Sequence, residues 1–127
     1  MDNIVIPPSE RTPEINFDFA NGRLRIKGES YPGNASTFFG PLLAALHDYL
    51  QKRPGNPVVM DIEMEYFNSS SAKALMNIFQ VMEEAAKTGV NAVVRWHYNK
   101  DDETMCEFGE DFSEDLIFLN FEMVKVG

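Results

Sequence analysis

The chain has 127 residues, 44% hydrophobic and 12% aromatic, with a formal net charge of −9. That length suits one domain around one core, and the apolar content excludes bulk disorder. The acidic balance argues against nucleic acid or anionic membranes as ligands, since both are held by Lys and Arg. In chain order, Asn3–Ile6 is short, apolar and closed by Pro7-Pro8, which predicts an edge strand or an arm. EINFDFANGRLRIKG follows as a β-hairpin: Ile15, Phe17 and Phe19, then Leu24 and Ile26, alternate with polar residues around Asn21-Gly22.

GESYPGNAS (Gly28–Ser36) is dense in turn formers and predicts a loop. Phe38, Phe39, Leu42, Leu43, Leu46, Tyr49 and Leu50 then recur at helical spacing to Gln51. Pro41 belongs either to the first turn of that helix or to a bend in a longer one. After the break KRPGNP, Val58–Glu65 reads as a buried central strand. Ser69–Lys87 is a second helix with Ala72, Leu75, Met76, Phe79, Met82 and Ala86 inward, while Lys73, Gln80, Glu83, Glu84 and Lys87 face water. Gly89 suits its left-handed cap. Asn91–Tyr98 is a strand, Asp101–Asp115 holds a short helix, and Phe118–Val126 closes the chain as a strand. Strands joined through helices run parallel by the right-handed crossover rule. The expected fold class is therefore α/β: one mixed sheet, an N-terminal hairpin plus parallel strands, with helices mainly on one face.

No apolar run approaches the roughly 18 residues that span a bilayer. The start, MDNIVIPPSERTPE, lacks the basic and apolar segments of a signal peptide, so no membrane insertion and a cytoplasmic location are expected. Cys106 stands alone among acids in ETMCEFGED, which excludes an internal disulfide and a cysteine-rich zinc site and should raise its thiol pKa. His47 and His97 have no partner at zinc-ligand spacing. The acidic run from Asp101 to Asp115 lacks EF-hand spacing and reads as a solvated face. GESYPGNAS lacks the lysine of a phosphate-binding loop. Nothing calls for a metal or a cofactor.

YFNSSSAKALM (Tyr66–Met76) is the stretch with functional content. A strand ends, three serines follow, and a helix begins at once. Asn68, Ser69 or Ser70 can cap the helix, bonding an amide of its first turn. A loop at the carboxyl end of a parallel strand is also where α/β sheets place functional groups. A phosphate there would meet free amides and the positive end of the helix dipole. Lys73, Arg95 and Lys100 are the cations available to hold it, with solvation as their plainer fate. A hydrolase built on Ser69 and His97 is the rival, but no G-x-S-x-G elbow is present.

The element order with a hydroxyl residue at this helix start resembles the STAS domain of anti-sigma-factor antagonists. More closely, the chain resembles the SiaC-type biofilm regulatory phosphoproteins, through RTPEINFD, IKGESYPGNASTFFGPL, YFNSSSAKALMNIF, VRWHYNKDDETMCEFGEDF and FEMVKV. That resemblance implies a non-enzymatic STAS-like regulator spanning residues 1–127. Its unphosphorylated form binds and activates a diguanylate cyclase, raising cyclic di-GMP. A cognate serine/threonine kinase phosphorylates the first hydroxyl residue after the asparagine, and a PP2C-like phosphatase reverses this. The matching position is Ser69, where the family's best-known members carry threonine, so Ser70 and Ser71 stay open as alternatives. The resemblance also implies partner contacts at Glu29, Ser30, Tyr31, Asn68, Lys73, Asp101, Asp102 and Glu110. An anti-sigma-factor-antagonist output is the alternative within the same fold.

Overall fold

Alternating apolar residues at Ile15, Phe17, Leu24 and Ile26 make a hairpin with one buried face, and each later strand adds to its edge. The computed structural model describes residues Met1–Gly127. The elements are β1 (Ile4–Ile6), β2 (Glu14–Asp18), β3 (Arg23–Ser30), α1 (Ala35–Gln51), β4 (Val58–Phe67), α2 (Ser69–Lys87), β5 (Ala92–Asn99), α3 (Glu103–Ser113) and β6 (Asn120–Val126). They form one six-stranded sheet in the order β1-β2-β3-β4-β5-β6. The first three strands are antiparallel neighbours, and β4, β5 and β6 extend the sheet parallel to β3. Because the strand order never reverses, right-handed crossovers carry all three helices over the same face. The expected mixed sheet with helices on one face is what the chain forms. No helix is long and apolar enough to cross a membrane.

The open face explains one departure from expectation. Val58–Glu65 read as a strand buried on both sides, yet β4 alternates, with Met60, Ile62 and Met64 inward and Asp61 and Glu63 outward. Parallel strands are normally covered on both faces. Here the uncovered face carries charge in register. One row runs Asn16, Arg25, Asp61, Arg95, Glu122, and the next runs Glu14, Lys27, Glu63, His97. Signs alternate through Arg25, Asp61, Arg95 and Glu122 in the first row and through Glu14, Lys27 and Glu63 in the second. Ion pairs link Arg23 to Asp61 at 3.0 Å, Arg25 to Glu14 at 3.1 Å, Lys27 to Glu63 at 3.3 Å and Arg95 to Glu122 at 3.2 Å. The rows are a charged substitute for a second helical layer.

Beneath the helices the core is aromatic at its α3 end. Trp96 is fully buried and donates its indole N–H to the Met105 carbonyl at 2.9 Å. Phe112 meets both Trp96 and Phe79 edge-on, at 5.4 Å between ring centres. Gly109 permits this close approach of α3, since a Cβ there would lie 2.5 Å from Trp96 Cδ1 and 2.8 Å from Met123 Cε.

Element boundaries shift where tertiary pairing overrides local composition. Gly28, Glu29 and Ser30 were expected in a loop, but β4 draws them into β3 through a bulge between Gly28 and Glu29. α1 starts at Ala35, capped by Asn34, so Pro41 lies inside it. The last strand begins at Asn120 rather than Phe118. Glu83, expected to face water, is 8% exposed. Its carboxylate accepts the amides of Ile117, Phe118 and Leu119 at 2.8, 2.9 and 2.7 Å. Burial pushes this carboxyl up, but the three amides and Lys87 hold it below its ordinary value.

Candidate functional site

β4 buries Phe67 and then turns at Asn68, whose extended backbone starts α2. The Asn68 side chain accepts the Ser71 amide at 2.9 Å, and its carbonyl accepts the Ala72 amide at 2.9 Å. The cap is therefore asparagine, and none of the three serines is needed for it. Asn68 also donates its amide to the Ser30 carbonyl at 3.0 Å, tying the turn to β3.

The serines part company. Ser71 faces inward with 0% exposure, its Oγ 2.7 Å from the Oγ of Ser30, which is also 0% exposed. This corrects two expectations. Ser71 is not displayed for modification, and Ser30 offers no side chain to a partner. Two small hydroxyls can share one buried hydrogen bond, and that pairing locks the start of α2 onto the end of β3. Ser69 and Ser70 are exposed, and neither hydroxyl bonds any protein group. The first turn of α2 holds no acidic residue, so the positive end of its dipole is unbalanced.

Around these hydroxyls the rim is uneven. Lys73 is exposed one turn beyond Ser69, the spacing at which helical neighbours meet. Ser70 and Lys73 line a groove of about 570 Å³ toward α1, together with Asn34, Ser36, Phe39 and Leu43. Glu29 is exposed. Half-buried Tyr31 meets Tyr66 edge-on at 5.9 Å, and Tyr66 itself is 52% exposed. Asp102 is taken up as the N-cap of α3, accepting the Met105 amide at 3.0 Å, while Asp101 and Glu110 remain exposed.

Other candidates fall away from this rim. Arg95 lies on the open sheet face, bonded to Glu122, and is not available to a phosphate on α2. His97 donates from Nε2 to Asp61 Oδ1 at 2.9 Å on that same face, and no hydrogen bond joins it to Ser69. The acidic side chains of Asp101–Asp115 do not converge on a metal position. The Cys106 thiol is pushed up by burial and by Glu110, which accepts its hydrogen bond at 3.5 Å. A second groove, about 310 Å³, lies between α2 and α3 and is lined by Ala72, Met76, Phe79, Phe108, Phe112 and Leu116. Sequence reasoning missed it, because Met76 fitted the buried stripe of α2 and yet is 53% exposed.

An exposed, unbonded hydroxyl beside an asparagine cap is thus what this strand-to-helix turn displays. A family model described as SiaC family regulatory phosphoprotein matches residues 6–126. The chain belongs to the SiaC family. An uncharacterized protein of Pseudomonas aeruginosa strain UCBPP-PA14 is 36% identical over 118 residues, 93% of each chain. The crystal structure of apo-SiaC from Pseudomonas aeruginosa superposes with a TM-score of 0.88 at 35% identity, covering 98% of this chain and 99% of that one. SiaC in the crystal structure of the diguanylate cyclase SiaD with its activator SiaC, from the same organism, gives 0.91 at 35% identity, with 97% and 99% covered. The SiaC resemblance carried by the sequence motifs is borne out over nearly the whole chain.

Proposed function

We propose that this protein is a phosphorylation-switched activator of a diguanylate cyclase, acting in the cytoplasm without catalysis of its own. The observation that carries the reading is its near full-length likeness to a SiaC chain solved as the activator of SiaD. The free Ser69 hydroxyl supports the switch: it is exposed, uninvolved in capping and first in its helix.

A cognate serine/threonine kinase transfers the γ-phosphoryl group of ATP to Ser69 Oγ, which loses its proton, and ADP leaves. A PP2C-like phosphatase hydrolyses the ester, restoring the hydroxyl and releasing inorganic phosphate. The phosphate adds about −1.5 to −2 charges where α2 has none, so a docked partner meets a changed sign and added bulk with no refolding of the sheet. Lys73, at i+4, and the free amides of the first turn hold the added group in place. Ser70 is the neighbouring hydroxyl a kinase must discriminate against, and it faces the α1 groove.

The test is a reconstitution. Treatment with the cognate kinase and ATP should add one phosphate, mapped to Ser69 by peptide sequencing, and Ser69→Ala should take none. Phosphate found outside Ser69 and Ser70, or none at all, would sink the switch.

A further inference from the structure

The open face of the sheet is the one large surface that the switch does not employ. Parallel strands are normally covered on both sides, yet β4, β5 and β6 are covered on one. Over β3–β6 the outward positions form three rows in register. The first is Arg23, Val59, Val93 and Asn120, the middle one Arg25, Asp61, Arg95 and Glu122, and the last Lys27, Glu63, His97 and Val124. Four cations stand there against three carboxylates, in a chain whose net charge is −9. Repulsion between two copies is therefore least at this face. A shallow depression of about 380 Å³ crosses it, with no apolar residue in its lining.

We propose that this face receives the same face of a second copy, about a two-fold axis that runs along the strands between β4 and β5. The order of the charges is the argument for that occupant. Rotation about such an axis reverses each row onto itself, and every contact occurs twice. The middle row reads plus, minus, plus, minus. Reversal sets Arg25 over the partner's Glu122 and Asp61 over the partner's Arg95, so each cation meets an anion. An alternating row of three or five would set like charges together; a row of four does not. In the last row Glu63 meets the partner's His97. In the first, half-buried Val59 meets the partner's Val93, an apolar contact beside the axis.

No lone charge has to be buried. Each member of the middle row already sits in an ion pair, so the second copy adds a counter-charge to a pair that exists. Area sets the strength. Six strands about 4.8 Å apart, with β3 and β5 eight residues long at about 3.3 Å per residue, give roughly 600 Å² per copy, short of the about 800 Å² of a standard stable complex. The dimer is thus a reversible one that fills as concentration rises. All three helices lie on the other side of the sheet, so both copies keep Ser69 free, and the inference stands apart from the activator reading.

The test is sedimentation equilibrium of the whole chain up to millimolar concentration, with wild type, Arg25→Glu and Glu122→Arg. Within one copy these two residues lie three strand spacings apart, about 14 Å, so they meet only across the two-fold. Wild type should pass from monomer to dimer mass. Each variant alone sets like charges together twice and should associate about tenfold more weakly. Mixed one to one, the two variants should associate as wild type does, because the reversed charges then face opposite signs. Circular dichroism checks that each is folded, and recovery in the mixture requires it of both. A wild type that stays monomeric at every concentration overturns the proposal. So do single variants that associate as tightly as wild type, or a mixture no tighter than its components.

Discussion

At the scale of the residue, the decisive partition is among three adjacent serines. Ser69 is free, Ser70 faces a groove, and Ser71 is locked to Ser30. Ser69→Ala should keep activating the cyclase in the presence of kinase and ATP, when wild type is silenced. Ser69→Asp should silence it only in part, since one carboxylate carries about half the charge of a phosphate; full activation by this variant would argue that charge is not the signal. Ser71→Ala leaves the Ser30 hydroxyl buried without a partner and should cost about 1–3 kcal/mol in urea unfolding, without changing which residue is phosphorylated. Asn68→Ala removes the cap and should cost about 1 kcal/mol, with Asn68→Asp restoring most of it. The three serines looked alike in the sequence. What separates them is that Ser71, three residues past the cap, points back under the helix toward a strand end that composition assigned to a loop.

At the scale of the element, α3 is held by fit and α2 by a clamp. Gly109 lets α3 approach Trp96, and Gly109→Ala would press a methyl into the indole. Gly109→Ala should therefore destabilise the protein by about 1–3 kcal/mol, read as a lower urea midpoint, although alanine is the better helix former. An unchanged or higher midpoint would mean that α3 shifts freely. Glu83→Gln keeps the shape but loses the charge that accepts three amides, at a cost of about 1–3 kcal/mol; hydrogen exchange should speed up at Ile117–Leu119 first. Neither feature was legible beforehand. A glycine within an acidic helix reads as a weakness, and Glu83 reads as a solvated charge. The clue was periodicity, because Glu83 follows Phe79 by four residues and so shares its inward face.

At the scale of the whole molecule, the hairpin, the parallel strands and the helices on one face were legible, because each rests on local periodicity and a handedness rule. The open charged face was not, because ion pairs such as Arg95 with Glu122 join residues far apart in the chain. That face and the Glu83 clamp predict the response to acid. Burial raises the Asp61 carboxyl, but hydrogen bonds from His97 and Arg23, and their charges, bring it below its ordinary value of 3.8. Glu83 likewise lies below 4.5. Groups depressed in the fold stabilise it above their unfolded values, and that contribution is lost as pH falls through the folded ones. Stability should thus fall on acidification below about pH 4.5, and Asp61→Asn with Glu83→Gln should flatten the slope; an unaltered slope would place the acid sensitivity elsewhere. The central claim concerns what the whole molecule does to its partner. The most direct measurement is the rate of cyclic di-GMP formation by the partner cyclase, titrated with this protein unmodified and stoichiometrically phosphorylated on Ser69. The account predicts saturable stimulation by the first and none by the second, and equal stimulation by both forms, or by neither, would contradict it.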